Sequence, residues 1–115
     1  MGVDLRLLPF DADFSISFSH TVLDCDQDYP MFDAIQKLDA IPVPEGFTSF
    51  SGGCDKCHDT CYGKTLEDPY GSPVLYTTAS LLVSVKHDQM SQKNRAIWAY
   101  LEHLAPSTKI ALYWH

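Results

Sequence analysis

"SQKNRAIWAYLEHL" (residues 91–104) and "KIALYWH" (residues 109–115) stand four residues apart and decide the fold class. In the first segment apolar side chains recur at intervals of three and four, as in an amphipathic helix, at Ile97, Tyr100, Leu101 and Leu104. Ser91 occupies the place of a helix N-cap. The second segment is rich in residues that favour strands. We therefore predict a helix followed by a strand.

The stretch before this pair, "SPVLYTTASLLVSV" (residues 72–85), predicts another strand and another helix. "VLYT" is typical of a short strand, and Thr77 or Thr78 could cap a short helix over "ASLLVSV".

Nearer the N-terminus, "VDLRLLPF" (residues 3–10) predicts a strand that Pro9 stops. "DFSISFSHTV" (residues 13–22) alternates apolar and polar residues, which predicts a half-buried strand with His20 on its inward face. The short connection between the two suits a hairpin.

"DCDQDYPMFDAIQKL" (residues 24–38) changes to helical spacing, with an inward stripe of Met31, Ile35 and Leu38 and with Pro30 in the first turn. Residues 39–73 carry many prolines and glycines and predict a long irregular loop. The element order is not the strict alternation of a parallel fold. We predict one α+β domain over residues 1–115, a sandwich with a mostly antiparallel sheet, about three helices on one face and the long cysteine-containing loop.

The chain has 115 residues and a formal net charge of −7, and residues 1–40 hold eight aspartates against Arg6 and Lys37. Direct binding to nucleic acid is not expected, because phosphate recognition needs clustered basic residues. An acidic surface can instead occupy a basic groove on another protein. The predicted binding residues are the carboxylates that precede the first helix and one aromatic beside the main helical stripe: Asp24, Asp26, Asp28 and Trp98.

The opening residues are not typical of a secretory signal, since Asp4 interrupts them and the apolar run is short. No stretch approaches the length of a membrane span. We therefore predict a cytoplasmic protein with reduced thiols and without a membrane partner.

"GGCDKCHDTCYGK" (residues 52–64) holds three cysteines and a histidine within eight positions. Cys54 and Cys57 form a C-x-x-C pair and Cys61 adds a third thiolate, a set that suits zinc. His58, Cys25, His20 or another histidine could complete the tetrahedron. Such a zinc would be structural and would order a loop that buries little apolar surface.

Other interpretations of this cluster stay open. Free thiols, an adventitious disulfide and a redox pair are alternatives to zinc. "CDKCH" matches the attachment pattern for haem, but that chemistry takes place outside the cytoplasm, and we predict no haem. An iron–sulfur cluster needs four thiolates at a characteristic spacing.

No nucleotide cofactor is predicted. "YGKT" (residues 62–65) lacks the upstream glycine of a phosphate-binding loop. "DCDQD" (residues 24–28) lacks the glycine and the glutamate of a calcium-binding EF-hand, and suits the negatively charged start of a helix.

Two stretches, "YGKTLEDPYGSPVLYTTASLL" (residues 62–82) and "KNRAIWAYLEHLAPSTKIALYWH" (residues 93–115), resemble small uncharacterised proteins encoded by bacteriophages and prophages. The opening "VDLRLLPF" is similar too, so the resemblance covers residues 1–24 and 62–115. It implies a small, acidic accessory protein made in the cytoplasm of an infected or lysogenic bacterium. Such proteins often bind a host or defence protein. No functional residue carries over from this group.

These observations favour a protein that binds a host or defence protein, as a possible inhibitor, through its acidic face or the loop at residues 45–72. The alternative is a small enzyme or small-ligand-binding protein with its pocket at that loop and with His58, Asp55 and Asp59 as its chemical groups.

Overall fold

A five-stranded antiparallel sheet carries three helices on one face in the part of the chain that the structure describes. The computed structural model describes residues 3–10, 22–43, 48–50, 62–64 and 70–115, with residues 48–50 and 62–64 described by their backbone alone. The strands of the main sheet are β1 (Leu5–Phe10), β2 (Leu23–Asp24), β3 (Ile41–Pro42), β6 (Leu75–Thr78) and β7 (Lys109–Trp114). A separate two-stranded sheet joins β4 (Thr48–Phe50) to β5 (Tyr62–Lys64). The helices are α1 (Tyr29–Gln36), α2 (Ala79–Val83) and α3 (Gln92–Glu102).

The central pair of the main sheet is β1 with β7, in the strand order β2-β1-β7-β6-β3. Their antiparallel register pairs Leu5 with Trp114 and continues to Phe10 and Lys109. Successive side chains of a strand point to opposite faces of the sheet. Both faces of this central pair are apolar, which is why β1 and β7 read as nearly continuous apolar runs.

The helix-bearing face holds the larger core. All three helices contribute to it, and β1 and β7 supply the floor. Its buried members include Leu5, Leu7, Met31, Phe32, Ile35, Leu82, Ile97, Trp98, Leu101, Ile110 and Leu112. The opposite face carries a smaller buried cluster of Leu8, Phe10, Val43, Val74 and Ala111. The predicted α+β class, with an antiparallel sheet and helices on one face, is confirmed.

Two of the three described helices begin where the sequence predicts, with Pro30 in the first turn of α1 and Ser91 at the N-cap of α3. Asp28 caps α1, and its carboxylate accepts a hydrogen bond from the Met31 N–H. Ser91 caps α3, and its hydroxyl accepts from the Asn94 N–H. Thr78 precedes α2 without a side-chain cap. Thr77 instead donates its hydroxyl to the Asp39 carbonyl, which ties β6 to the segment before β3.

Pro9 does not stop the first strand, so that prediction is wrong. β1 continues to Phe10, with Pro9 opposite Ile110 of β7. Proline has no N–H for the ladder and is tolerated in a strand where a neighbouring strand needs none. Within the described ranges, β2 pairs with β1 only at Arg6 and Leu7, away from the proline.

The region predicted as one irregular loop, residues 39–73, contains β3, β4 and β5. β3 has two residues, one of them Pro42, and pairs with Leu75 and Tyr76 of β6. Short edge strands with proline resist pairing with other chains. The strand predicted across residues 13–22, with His20, lies largely outside the described residues.

Candidate functional site

Two of the aspartates predicted for binding, Asp26 and Asp28, lie at the N-termini of α3 and α1, where most of their polar atoms already have partners. Asp28 has a nearly buried side chain, and its second carboxylate oxygen lies 2.7 Å from Nε2 of His87. Because the first oxygen caps α1, the Asp28 carboxylate holds a helix terminus to the connection between α2 and α3.

The Asp28–His87 pair is structural in its geometry. Nδ1 of His87 accepts a hydrogen bond from the backbone N–H of Gln89 at 3.1 Å. An imidazole nitrogen that accepts carries no proton, so the proton resides on Nε2 and is donated to Asp28. Both ring nitrogens are therefore engaged within the fold. A general base needs a lone pair that faces substrate, and His87 offers none in this arrangement.

The backbone of Asp26 is held by the side chain of Asn94. The amide of the fully buried Asn94 accepts from the Asp26 N–H at 2.8 Å and donates to the Asp26 carbonyl at 3.1 Å. The Ser91 hydroxyl donates to the Asp26 carboxylate at 2.8 Å, and Lys93 lies 4.0 Å from the same carboxylate. These contacts fix the segment before α1 against the first turn of α3.

Asp24 is the most exposed of the three predicted aspartates. Its carboxylate lies 4.0 Å from Nε of Arg6 and 4.0 Å from Nε2 of His115. Nε2 of His115 is itself buried and has no hydrogen-bond partner in the described part of the chain. Exposed ion pairs at this distance contribute little to stability, so Asp24 remains available to a partner.

Trp98 is not a surface residue, and its assignment to a binding surface is corrected. It is fully buried in the core beneath the helices, where its indole N–H donates to the Leu82 carbonyl at 2.9 Å. Helical spacing allows two overlapping stripes on α3, and the inward one is centred on Asn94, Ile97, Trp98 and Leu101. This stripe is difficult to recognise in the sequence, because the polar Asn94 interrupts an otherwise apolar pattern.

The predicted zinc ligands Cys54, Cys57, His58 and Cys61 lie outside the described residues, as do Asp55, Asp59 and His20. Within the described ranges, no three histidine, cysteine or acidic side chains stand together as a metal site. Cys25, a candidate fourth ligand, is buried in the helix-side core. Burial, with a smaller contribution from the nearby Asp24 carboxylate, raises the pKa of its thiol from 9.0 to about 12. A metal ligand must be a thiolate, which this environment opposes.

We expect Cys25 to be unreactive in the folded protein. At pH 8 its thiolate population is about a thousandfold below that of a thiol that ionises near 9.0. Alkylation with iodoacetamide, mapped by mass spectrometry, should label Cys25 in guanidinium chloride and leave it unlabelled under native conditions. Folding raises the pKa of the Cys25 thiol, so burial of the protonated thiol contributes fully to the stability of the protein below pH 9.0. This contribution is lost as the pH rises from 9.0 towards 12. Native labelling at the rate seen in denaturant would contradict the burial.

An apolar groove lies beside α1, at the ends of β1, β7 and β6. Its volume is about 310 Å³, and its lining is Val3, Gln36, Tyr70, Ser72, Pro73, Leu75 and Trp114. Five large apolar side chains are exposed among the described residues, and three of them, Val3 (37%), Tyr70 (59%) and Leu75 (36%), line this groove. We call this lining the α1 groove.

The outer face of α1 leads to the α1 groove. Tyr29 is 56% exposed in the first turn, Asp33 is exposed one turn later, and Gln36 reaches the groove. Residues spaced by three or four lie on the same side of a helix. An exposed aromatic, a carboxylate and an apolar groove therefore follow one another along one side of the molecule.

The α1 groove is not predicted by the sequence, because its residues come from four separate segments. One local signal was available, since Tyr70 stands in "DPYGSP" (residues 68–73), an aromatic among turn-forming residues. Such a residue has no regular strand or helix to carry it into a core.

No protein-family model, no curated protein and no solved structure matches this chain. No helix among the described residues combines the length and the apolar character needed to cross a membrane.

Proposed function

We propose that this protein is a small acidic accessory protein of bacteriophage type that binds a host or defence protein in the bacterial cytoplasm and inhibits it. The observation that carries the proposal is the gathering of exposed apolar side chains at the α1 groove, continuous with the outer face of α1, which exposes Tyr29 and Asp33. The resemblance to phage and prophage proteins supports the biological setting.

The composition of this surface favours a protein partner. Contiguous exposed apolar side chains with polar surroundings are typical of protein–protein contacts. Tyrosine is enriched among the residues that contribute most to binding energy, and Tyr29 and Tyr70 are both more than half exposed.

The charge of the surface favours a basic partner. Asp33, on the exposed side of α1, forms no ion pair within the described part of the chain. Unpaired carboxylates accelerate encounter with a positively charged surface and select against acidic partners.

Affinity capture from bacterial lysate tests this proposal with two matched variants. Tyr70→Ala removes an exposed aromatic from the α1 groove. Ile41→Ala removes a similarly exposed apolar side chain, 56% accessible, from the edge strand β3. We expect a protein captured by the wild type and by Ile41→Ala, with recovery at least about tenfold lower for Tyr70→Ala, as for a hot-spot residue.

Both variants should keep the wild-type circular dichroism spectrum, which separates loss of binding from loss of fold. Equal recovery of the same protein by all three forms would place the contact elsewhere. The absence of any stoichiometric partner at micromolar protein would contradict the proposed function.

We further propose a structural zinc held by Cys54, Cys57, Cys61 and His58. Elemental mass spectrometry of reduced protein purified without chelator should give about one zinc per chain. Substitution of Cys54, Cys57 and Cys61 by serine should abolish the metal, because each removes a thiolate ligand. Cys25→Ser is the matched control and should retain it, since Cys25 lies in the core. Metal-free wild-type protein with four free thiols would refute the site.

A further inference from the structure

The α1 groove combines aromatic, aliphatic and polar surfaces without a charged residue in its lining. Tyr70 and Trp114 supply aromatic rings, and Val3, Pro73 and Leu75 supply aliphatic surface. Trp114 is held by an edge-to-face contact with Phe32, with the ring centroids 5.3 Å apart. The Trp114 ring is therefore held in position before any ligand binds.

A carboxylate lies beside this groove on α1. Asp33 is exposed and lies one helical turn before Gln36, which lines the groove. Lys37 is the nearest cationic residue along α1, and it is rotated by about 100° around the helix axis from Gln36. Asp33, and not Lys37, therefore lies on the same side of α1 as Gln36.

We propose that the α1 groove binds a lysine or arginine side chain, flanked by apolar residues, from an extended segment of the partner protein. This inference rests on the proposed function and specifies the chemistry of the partner. The long stem of a basic side chain packs on aliphatic surface, and its cation is attracted to aromatic rings and carboxylates. A volume of about 310 Å³ is at the lower end of ligand pockets and suits one side chain.

The two tryptophans provide a readout within one molecule. Trp114 lines the groove, and Trp98 is fully buried with its indole N–H bonded to Leu82. In a ¹⁵N-correlated NMR spectrum, occupancy of the groove should move the Trp114 indole resonance and leave that of Trp98 in place. The Trp114→Phe variant assigns the two signals.

The probe is the synthetic peptide acetyl-Ala-Leu-Arg-Leu-Ala-amide, and its control carries citrulline, which has the shape of arginine without the charge. We expect a saturable shift of the Trp114 signal with the arginine peptide and about fivefold weaker binding of the citrulline peptide. Tyr70→Leu keeps apolar contact without the ring and should weaken the arginine peptide by a similar factor.

Two aspartate variants test the charge separately. Asp33→Asn should weaken binding of the arginine peptide and reduce its dependence on salt. Asp39→Asn makes the same change of charge at an exposed position that lines a different groove, and it should have no effect.

Three results would overturn this inference. The first is a Trp114 resonance that does not move at any concentration of the arginine peptide. The second is equal affinity for the arginine and citrulline peptides. The third is movement of the resonance with protein concentration alone, which would assign the groove to a second copy of this chain. The titration contains no host protein, so its failure is distinct from failure of the lysate capture. A Tyr70-dependent partner found without peptide binding would leave the proposed function standing and refute the side-chain chemistry.

Discussion

Trp98→Ala is expected to lower the free energy of unfolding by about 3–5 kcal/mol, in the range for a buried tryptophan replaced by alanine. The side chain is fully buried among residues of all three helices, and its removal leaves a cavity at the centre of the larger core. Such a loss is a large part of the roughly 5–15 kcal/mol that stabilises a typical domain. Urea unfolding followed by far-ultraviolet circular dichroism measures it.

Two variants separate the packing of Trp98 from its hydrogen bond. Trp98→Phe keeps most of the apolar volume and loses the donor to Leu82. The Leu82 carbonyl also accepts from the Val85 N–H, so the cost should fall to about 1–2 kcal/mol. Trp114→Ala makes the same truncation at a half-buried position and should cost less than Trp98→Ala. Equal unfolding midpoints for the two alanine variants would contradict the assignment of Trp98 to the core.

Asn94→Ala is expected to destabilise the protein by about 2–3 kcal/mol, because it leaves the N–H and the carbonyl of Asp26 without their partner. The variant does not shorten α3, since the Ser91 hydroxyl accepts from the backbone N–H at position 94, which an alanine retains. The effect therefore reports the side-chain amide alone. The same urea titration measures it.

Arg95→Ala is the matched control, one position along the same helix and exposed, and it should change stability by less than about 0.5 kcal/mol. Ser91→Ala removes the cap of α3 and should cost about 1 kcal/mol. A loss for Asn94→Ala no larger than that for Arg95→Ala would show that water replaces the amide at Asp26.

Local rules predicted the helices well, because the relevant signals are short in range. Pro30 and Ser91 mark the beginnings of α1 and α3, and the spacing of apolar residues marks their extent. The strand over residues 109–115 was also predictable, since the segment is rich in strand-forming residues and β7 is central to the sheet.

The rotation of α3 and the α1 groove could not be predicted from the same rules. Whether Trp98 is fully buried depends on whether Asn94 finds partners inside the core, and those partners come from Asp26, 68 residues earlier. The groove likewise depends on how the ends of three strands meet α1. Tertiary contacts of this kind leave little trace in local patterns.

The pairing of β1 with β7 has a consequence for how the chain acquires its structure. Leu5 lies opposite Trp114, so the central pair of the sheet joins positions 109 residues apart. Closing a loop of that length precedes any gain from the contacts, which slows folding. During synthesis β1 leaves the ribosome before β7. The apolar side chains of Leu5 and Leu7 therefore lack their partners in β7 until that strand has also been synthesised. A chaperone that holds this first strand should therefore raise the yield of folded protein.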